Sequence, residues 1–337
     1  MSVKHKLLAW ALALLQGLAL AQVSAPTASP VLAENIEDQA ADAMFWGDWD
    51  ELERLFAAAR SDMRRAREGN LAVCSFGVGV NRDYSDESLA YHDARVAGTL
   101  DWVRRRPDLP LAHAVHLKAL VALAWFHRGR GFAKTVSEQR FADFRASLNE
   151  ALAYAKANAA VMTRDNYHVP ALLSVMLGLN VDAERQLEVA RRNMRKDASD
   201  ECLYRVALAS LLPKWGGDPR QMEAWIRESM RGQPEAVALT RYARLYSEAS
   251  AADYAQGLFE NSLARWPLMR DGLRAILKES PDSRYWKGRL AYFACMVKDR
   301  EVAVPALEAI EANPEFDAWG DTGQRNYQAC KRWALQS

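Results

Sequence analysis

The sequence predicts an all-α chain, a right-handed α-solenoid of helical hairpins lying behind an export signal. Three observations carry this expectation. From about residue 167 onward an apolar-striped helix, a short polar turn with Asp and a second apolar-striped helix recur. Asp182, Asp218 and Asp253 lie 36 and 35 residues apart, each expected to open the second helix of a pair. A period near ~34 residues with two helices per unit leaves each unit an apolar face that only its neighbour can bury.

The N-terminus supplies the third observation. Lys4, His5 and Lys6 precede an apolar run from Leu7 to Leu20, closed by Ala19, Leu20 and Ala21. That is the charged, apolar, small-residue order of a secretory signal, with cleavage expected after Ala21. Pro26 and Pro30 follow without stop-transfer charges. The expected organisation is a signal over 1–21, a disordered leader of Ala, Pro, Ser and Thr over 22–40, and a single α-helical repeat domain over 41–337. No other stretch approaches the ~20 apolar residues a membrane-spanning helix needs, so the mature chain is expected in the periplasm or secreted, with no stable membrane span.

Half the residues are apolar and about a quarter charged, enough for a sizeable core. Loss of Lys4 and Lys6 with the signal takes the formal net charge from +1 to −1. Such a chain has no electrostatic footprint for a phosphate backbone, so nucleic acid is excluded as a partner. The basic runs over 60–67 and 189–196 sit on helices with an opposite apolar face and read as solvated faces.

Along the chain, Leu52, Leu55, Phe56, Ala59 and Met63 recur at helical spacing and predict a helix over 42–68, ended by Gly69 and Asn70. Trp49-Asp-Glu-Leu52 has the Trp-x-x-Leu spacing of a tetratricopeptide first helix. Residues 70–86, with Gly77 and Gly79 among Val, Cys and Phe, read as a long ordered loop or short extended piece. Helices are expected over 88–105, over 111–128 and over 137–158, the second being apolar nearly all round and therefore central. Helix pairs follow at 168–178 with 182–196, 199–213 with 218–231, and 235–248 with 252–265. Asp218-Pro219 places a capping side chain before a proline at the first helical position, and Ser250 to Asp253 offers a similar cap. Further helices are expected at 267–279, 283–297, 299–312 and 321–335, with Trp286, Leu290 and Phe293 facing Ala303, Leu307 and Ile310.

Candidates for chemistry are few. None of the four cysteines, Cys74, Cys202, Cys295 and Cys330, forms CxxC, and none lies at zinc-ligand spacing from a His. Cys295 and Cys330 end up on helices two apart in a hairpin stack. A disulfide between them would stabilise by about 3 kcal/mol on the chain-entropy estimate; the alternative is buried free thiols acting as small apolar residues. Cys74 has no visible thiolate-stabilising neighbour to make it a nucleophile. His113 and His116 lie three apart on an apolar helix without a third ligand, so they read as satisfied core or pocket histidines and no metal is expected. Gly-Val-Gly-Val at residues 77–80 lacks the third Gly and the Lys of a phosphate cradle. No nucleophile elbow appears, no catalytic set is assigned and no cofactor is expected. The alternative enzyme reading rests on Glu228 in Ala224–Met230, where Arg-x-Glu-Ser-like strings surround the catalytic glutamate of lytic transglycosylases. Here the Gly-Leu-Met-Gln string that follows in that family is missing. Most of the eleven tryptophans fall on helix stripes and are expected in the core.

At Leu211-Leu-Pro-Lys-Trp-Gly-Gly-Asp218 the chain resembles the bacterial domain of unknown function 4034 family. Trp125-Phe-His-Arg-Gly-Arg-Gly-Phe132, Ala264-Arg-Trp-Pro267, Ala294-Cys-Met-Val-Lys-Asp299 and Trp319 with Cys330-Lys-Arg-Trp333 carry the same likeness. Lys214 and Asp218 stand where that family's pattern has Arg and Ser. The resemblance spans 42 to the end and implies tetratricopeptide-like (TPR-like) helical repeats without catalytic residues. The expected function is therefore a non-enzymatic exported binding or scaffold protein engaging a peptide, protein or envelope component; self-association is the structural alternative. Trp125, Arg128, Arg130, Lys214 and Trp215 are the candidate binding residues, chosen from turn position and chemistry.

Overall fold

Side-chain caps, prolines and left-handed glycines decide where the helices begin and end. The computed structural model describes residues 35–61, 66, 69–82, 88–129, 131, 133–194 and 201–335, and the regular structure among them is helical, without strands. The expected signal and residues 22–34 of the leader lie outside the described residues. The leader's last residues do not conform to expectation: helix α1 (Ile36–Trp46) buries Ile36 and Ala40 completely. Gly47, at φ +68°, ends α1 in a left-handed cap, and α2 (Trp49–Ser61) follows, so the single helix expected over 42–68 is two.

The glycine-bearing stretch expected as a loop is instead helix α3 (Ala72–Val80), buried along most of its length. The reason is close approach. A Cβ on Gly79 would lie 2.1 Å from the Glu37 carbonyl oxygen, so glycine here lets α3 press its backbone against α1. Packing overrides the low helix propensity of glycine. Gly79→Ala is expected to destabilise the protein by about 2–3 kcal/mol, measured by denaturant unfolding, because backbone must move to admit the methyl group.

Helix α4 (Leu89–Arg105) opens on Ser88, whose hydroxyl accepts the Tyr91 N–H, and α6 (Glu138–Ala157) opens on Ser137 in the same way. Between them α5 (Pro110–Arg128) starts on its proline and packs against α4, α6 and α7 (Val169–Gly178). It is central, as its all-round apolarity predicts. Leu111 to Val115 join a cluster with Ile36, Leu52, Leu55 and Phe76 of α1–α3, whereas Leu117, Val121 and Ala124 join Phe144, Leu148 and Val175 of α6 and α7.

A larger cluster runs from α7 to the C-terminus. Its helices are α8 (Ala183–Met194), α9 (Glu201–Leu208), α10 (Pro219–Met230), α11 (Glu235–Ala249), α12 (Trp266–Glu279), α13 (Arg284–Met296), α14 (Arg300–Glu308) and α15 (Gly323–Leu335). Helix α7 packs on α8 and α9, and α9 packs on α10 and α11. Asp182 and Asp218 do open second helices: Asp182 Oδ1 accepts the Glu184 N–H at 2.9 Å, and Asp218 Oδ1 accepts the Arg220 N–H at 2.6 Å. The third Asp does not open a helix. Residues 250–254 extend α11 as a π-helical turn, only a single helical turn follows at Leu258–Asn261, and Asp253 accepts the Lys214 N–H instead of capping a helix. The next neighbour of α11 is α12.

Two disulfides cross-link the chain. Cys295 on α13 bonds Cys330 on α15, with Cα atoms 5.7 Å apart, the first of the two alternatives their placement left open. Cys74 on α3 bonds Cys202 on α9 across 128 residues, with Cα atoms 5.6 Å apart. That pair had no sequence signal, since only the tertiary fold brings the two helices together. Trp102, Trp225, Trp286 and Trp319 are buried, consistent with core roles, while Trp46 is exposed.

Candidate functional site

A cavity of about 1070 Å³ opens between the α4–α7 body and the turn joining α9 to α10. Helix α5 forms its long wall: Lys118, Val121, Ala122 and Trp125 fall at i, i+3, i+4 and i+7, on one helical face. His92 and Arg95 enter from α4 with a three-residue spacing, and Pro170, Ala171 and Ser174 enter from α7. The opposite lip is Lys214 and Trp215.

Four of the five sequence candidates, Trp125, Arg128, Lys214 and Trp215, line this one cavity; Arg130 lies outside the described residues. The two tryptophans meet edge to face with ring centroids 5.7 Å apart, and Trp125 Nε1 donates to Ser174 Oγ at 3.1 Å. The Arg128 guanidinium lies 5.6 Å from the Trp125 ring and 5.8 Å from Phe141. Arg140 donates to the Phe126 and His127 carbonyls, compensating the C-terminal end of α5. Lys214 is held from two sides: its N–H donates to Asp253 and its Nζ to the Ala252 carbonyl at 2.6 Å. The turn that presents it depends on Gly216, at φ +81°, and on Gly217, where a Cβ would lie 2.1 Å from the Leu211 carbonyl.

The residue that sequence reasoning missed is Lys118. It is 5% exposed in an otherwise apolar helix, its Nζ 3.9 Å from the centre of the Tyr167 ring. Burial, and secondarily the nearby Arg95 charge, pushes its ammonium down from 10.5 to about 7. A lone lysine in HAVHLKALVALAWF was the available signal, because a long cation on an apolar helix must either snorkel or face a cavity.

The remaining candidates lie elsewhere. His113 is paired to Tyr154 Oη at 2.7 Å and the Pro107 carbonyl at 2.8 Å, and His116 to Thr99 Oγ1 at 2.9 Å. Burial, then the proximity of His113, lowers the His116 imidazole to about 4. Both are satisfied core histidines. Among the described residues no group of three or more His, Cys, Asp or Glu is placed to hold a metal. Glu228 lines a narrow crevice of about 120 Å³ with Arg191 and Trp225. Arg191 donates to both of its oxygens, at 2.9, 3.2 and 3.1 Å, and also to Glu184. A general acid must carry a proton in a desolvated site, whereas this fork holds the carboxylate as an acceptor.

With the geometry in hand, comparison adds no relative. No protein-family model, no curated protein and no solved structure matches this chain.

Proposed function

We propose that this chain is a non-enzymatic, exported binding or scaffold protein whose cavity between α5 and the α9–α10 turn holds part of a peptide, protein or envelope component. The supporting observation is convergence: residues 90 positions apart, Trp125 and Trp215, meet at one concave site with Arg128 and Lys214. Sites of this kind, mostly apolar with a few placed polar groups, are the usual form of ligand pockets. The right-handed TPR-like solenoid, and with it the resemblance to the domain of unknown function 4034 family, belongs to the same proposal. The packing of α7 with α9 and α9 with α11 fits such a stack. Export to the periplasm or beyond is supported by two disulfides, which persist in oxidising compartments. Among the described residues no helix is long and apolar enough to cross a membrane.

The test is retention from envelope extract of the producing cells by immobilised mature chain, compared with a Trp215→Ala/Arg128→Ala variant. Retention is expected to fall at least tenfold in the variant while its far-UV circular dichroism is unchanged. Equal retention by both would place the binding surface elsewhere, and light scattering showing a stable oligomer masking the cavity would favour self-association.

A further inference from the structure

The cavity has an unbalanced charge. Arg95, Lys118, Arg128, Arg140 and Lys214 all line it, and among its described lining residues there is no Asp or Glu. Among the described residues none of the five makes an ion pair with a carboxylate, although arginines elsewhere on the protein commonly do, as Arg54, Arg82, Arg104 and Arg191 show. Two of them are buried. Arg95 is 9% exposed; one Nη donates to the Val80 carbonyl, and its buried Nε has no hydrogen-bond partner. Lys118, 5% exposed, lies over the Tyr167 ring, and among the described residues no hydrogen bond or ion pair engages its Nζ. Burying two like charges with neither a carboxylate nor a full set of acceptors is costly, and low-dielectric walls focus the resulting field into the cavity.

Resting on the reading of this cavity as a ligand site, we propose that it is a receptor for an amphiphilic organic anion, whose carboxylate or phosphate head meets Lys118 and Arg95 and whose flat apolar body lies along Trp125 and Trp215. The exposed Arg140 and Lys214 at the opening attract the anion, and the buried pair receives it. A guanidinium Nε–H and an ammonium both donate charge-assisted hydrogen bonds to such oxygens. The arriving charge supplies the counter-ion that Lys118 lacks, so capture draws a proton from solvent onto the fraction of amine that is neutral, about half at pH 7 and nearly all above pH 8. Among the described residues, the titratable and charged groups around Lys118 are Arg95 and His92 on α4 and Tyr167 before α7, while α3 presents Gly77. Burial raises the Tyr167 phenol well above its ordinary value, so it stays neutral through this range. His113 and His116 on α5 itself are engaged by Tyr154, Pro107 and Thr99.

The experiment is calorimetric titration of the full mature chain with 2-naphthoate, 2-naphthyl phosphate and the neutral isostere 2-naphthamide. At least one anion is expected to bind tenfold or more tightly than the amide at pH 7, and which one decides between a carboxylate and a phosphate ligand. Above pH 7 its affinity is expected to fall, approaching tenfold per pH unit, with proton uptake seen as a dependence of the heat on buffer ionisation. Lys118→Met should lose tenfold for the anion and lose the pH dependence, leaving the amide unchanged. Arg95→Met, a second variant, should lose anion affinity and keep the pH dependence. Equal binding of amide and anions, sensitive to Trp215→Ala, would keep the cavity as a ligand site and overturn the anion assignment. Anion preference surviving both Lys118→Met and Arg95→Met, or no probe binding at millimolar concentration, would overturn it as well.

Discussion

Replacing Cys74 and Cys202 by serine together is expected to lower the unfolding free energy by about 5 kcal/mol, the loop-closure entropy of a ring of this size. The bond closes 128 residues, against 35 for Cys295–Cys330, so its loss should cost more than loss of the second. Total stability of a folded chain is typically about 5–15 kcal/mol, so this one bond is a large fraction of it. Among the described residues Arg244 adds a polar tie to the chain just before α3: it is stacked 4.9 Å over Trp286 and donates to Asn70 Oδ1 at 2.9 Å and the Gly69 carbonyl at 2.7 Å. Guanidinium chloride unfolding followed by far-UV circular dichroism is the measurement. Midpoints that do not differ between wild type and the Cys74/Cys202 double variant would show that the bond constrains nothing the packing does not already hold.

Lys118→Met is expected to act in the opposite direction, stabilising the unliganded protein by about 2–4 kcal/mol at pH 7, because a buried cation without a counter-ion gives way to an apolar chain of similar length. The pH dependence identifies the cause. The folded-state amine titrates at about 7 and the unfolded one near 10.5, so between those values the unfolded chain holds one more proton and stability rises with pH. From pH 7 to pH 9 the rise should be about 2 kcal/mol in wild type and absent in Lys118→Met. The window stops short of the tyrosines, whose ordinary titration begins near ~10. A variant that unfolds more easily than wild type at pH 7 would show that the lysine contributes packing or bonding that outweighs its desolvation.

Much of the helical layout was legible. Ser88, Ser137, Asp218, Ser283 and Asp299 cap helices through local side-chain chemistry, so their positions follow from a few neighbouring residues. What failed was decided at a distance. Helix α3 forms because Gly79 fits against Glu37, and the third Asp repeat ends in a π-helical turn because Asp253 is drawn to the Lys214 N–H. Gly47, which splits the first helix, was a local signal passed over. The cavity was half legible. Turn chemistry marked Arg128, Lys214 and Trp215, and Trp125 stood beside them, but the contributions of α4 and α7 required knowledge of which helices adjoin α5. Lys118 looked like one residue of an apolar stripe, and only the void beside it gives the lysine a purpose.

The bond between Cys74 and Cys202 encircles α4 to α7, which supply most of the cavity wall. A peptidase that nicks any one connection inside this covalent hoop leaves both fragments tethered, so the walls stay in place for re-closure. Dismantling the cavity then takes a cut and a reductant together, a durable arrangement for the exported binding role proposed above.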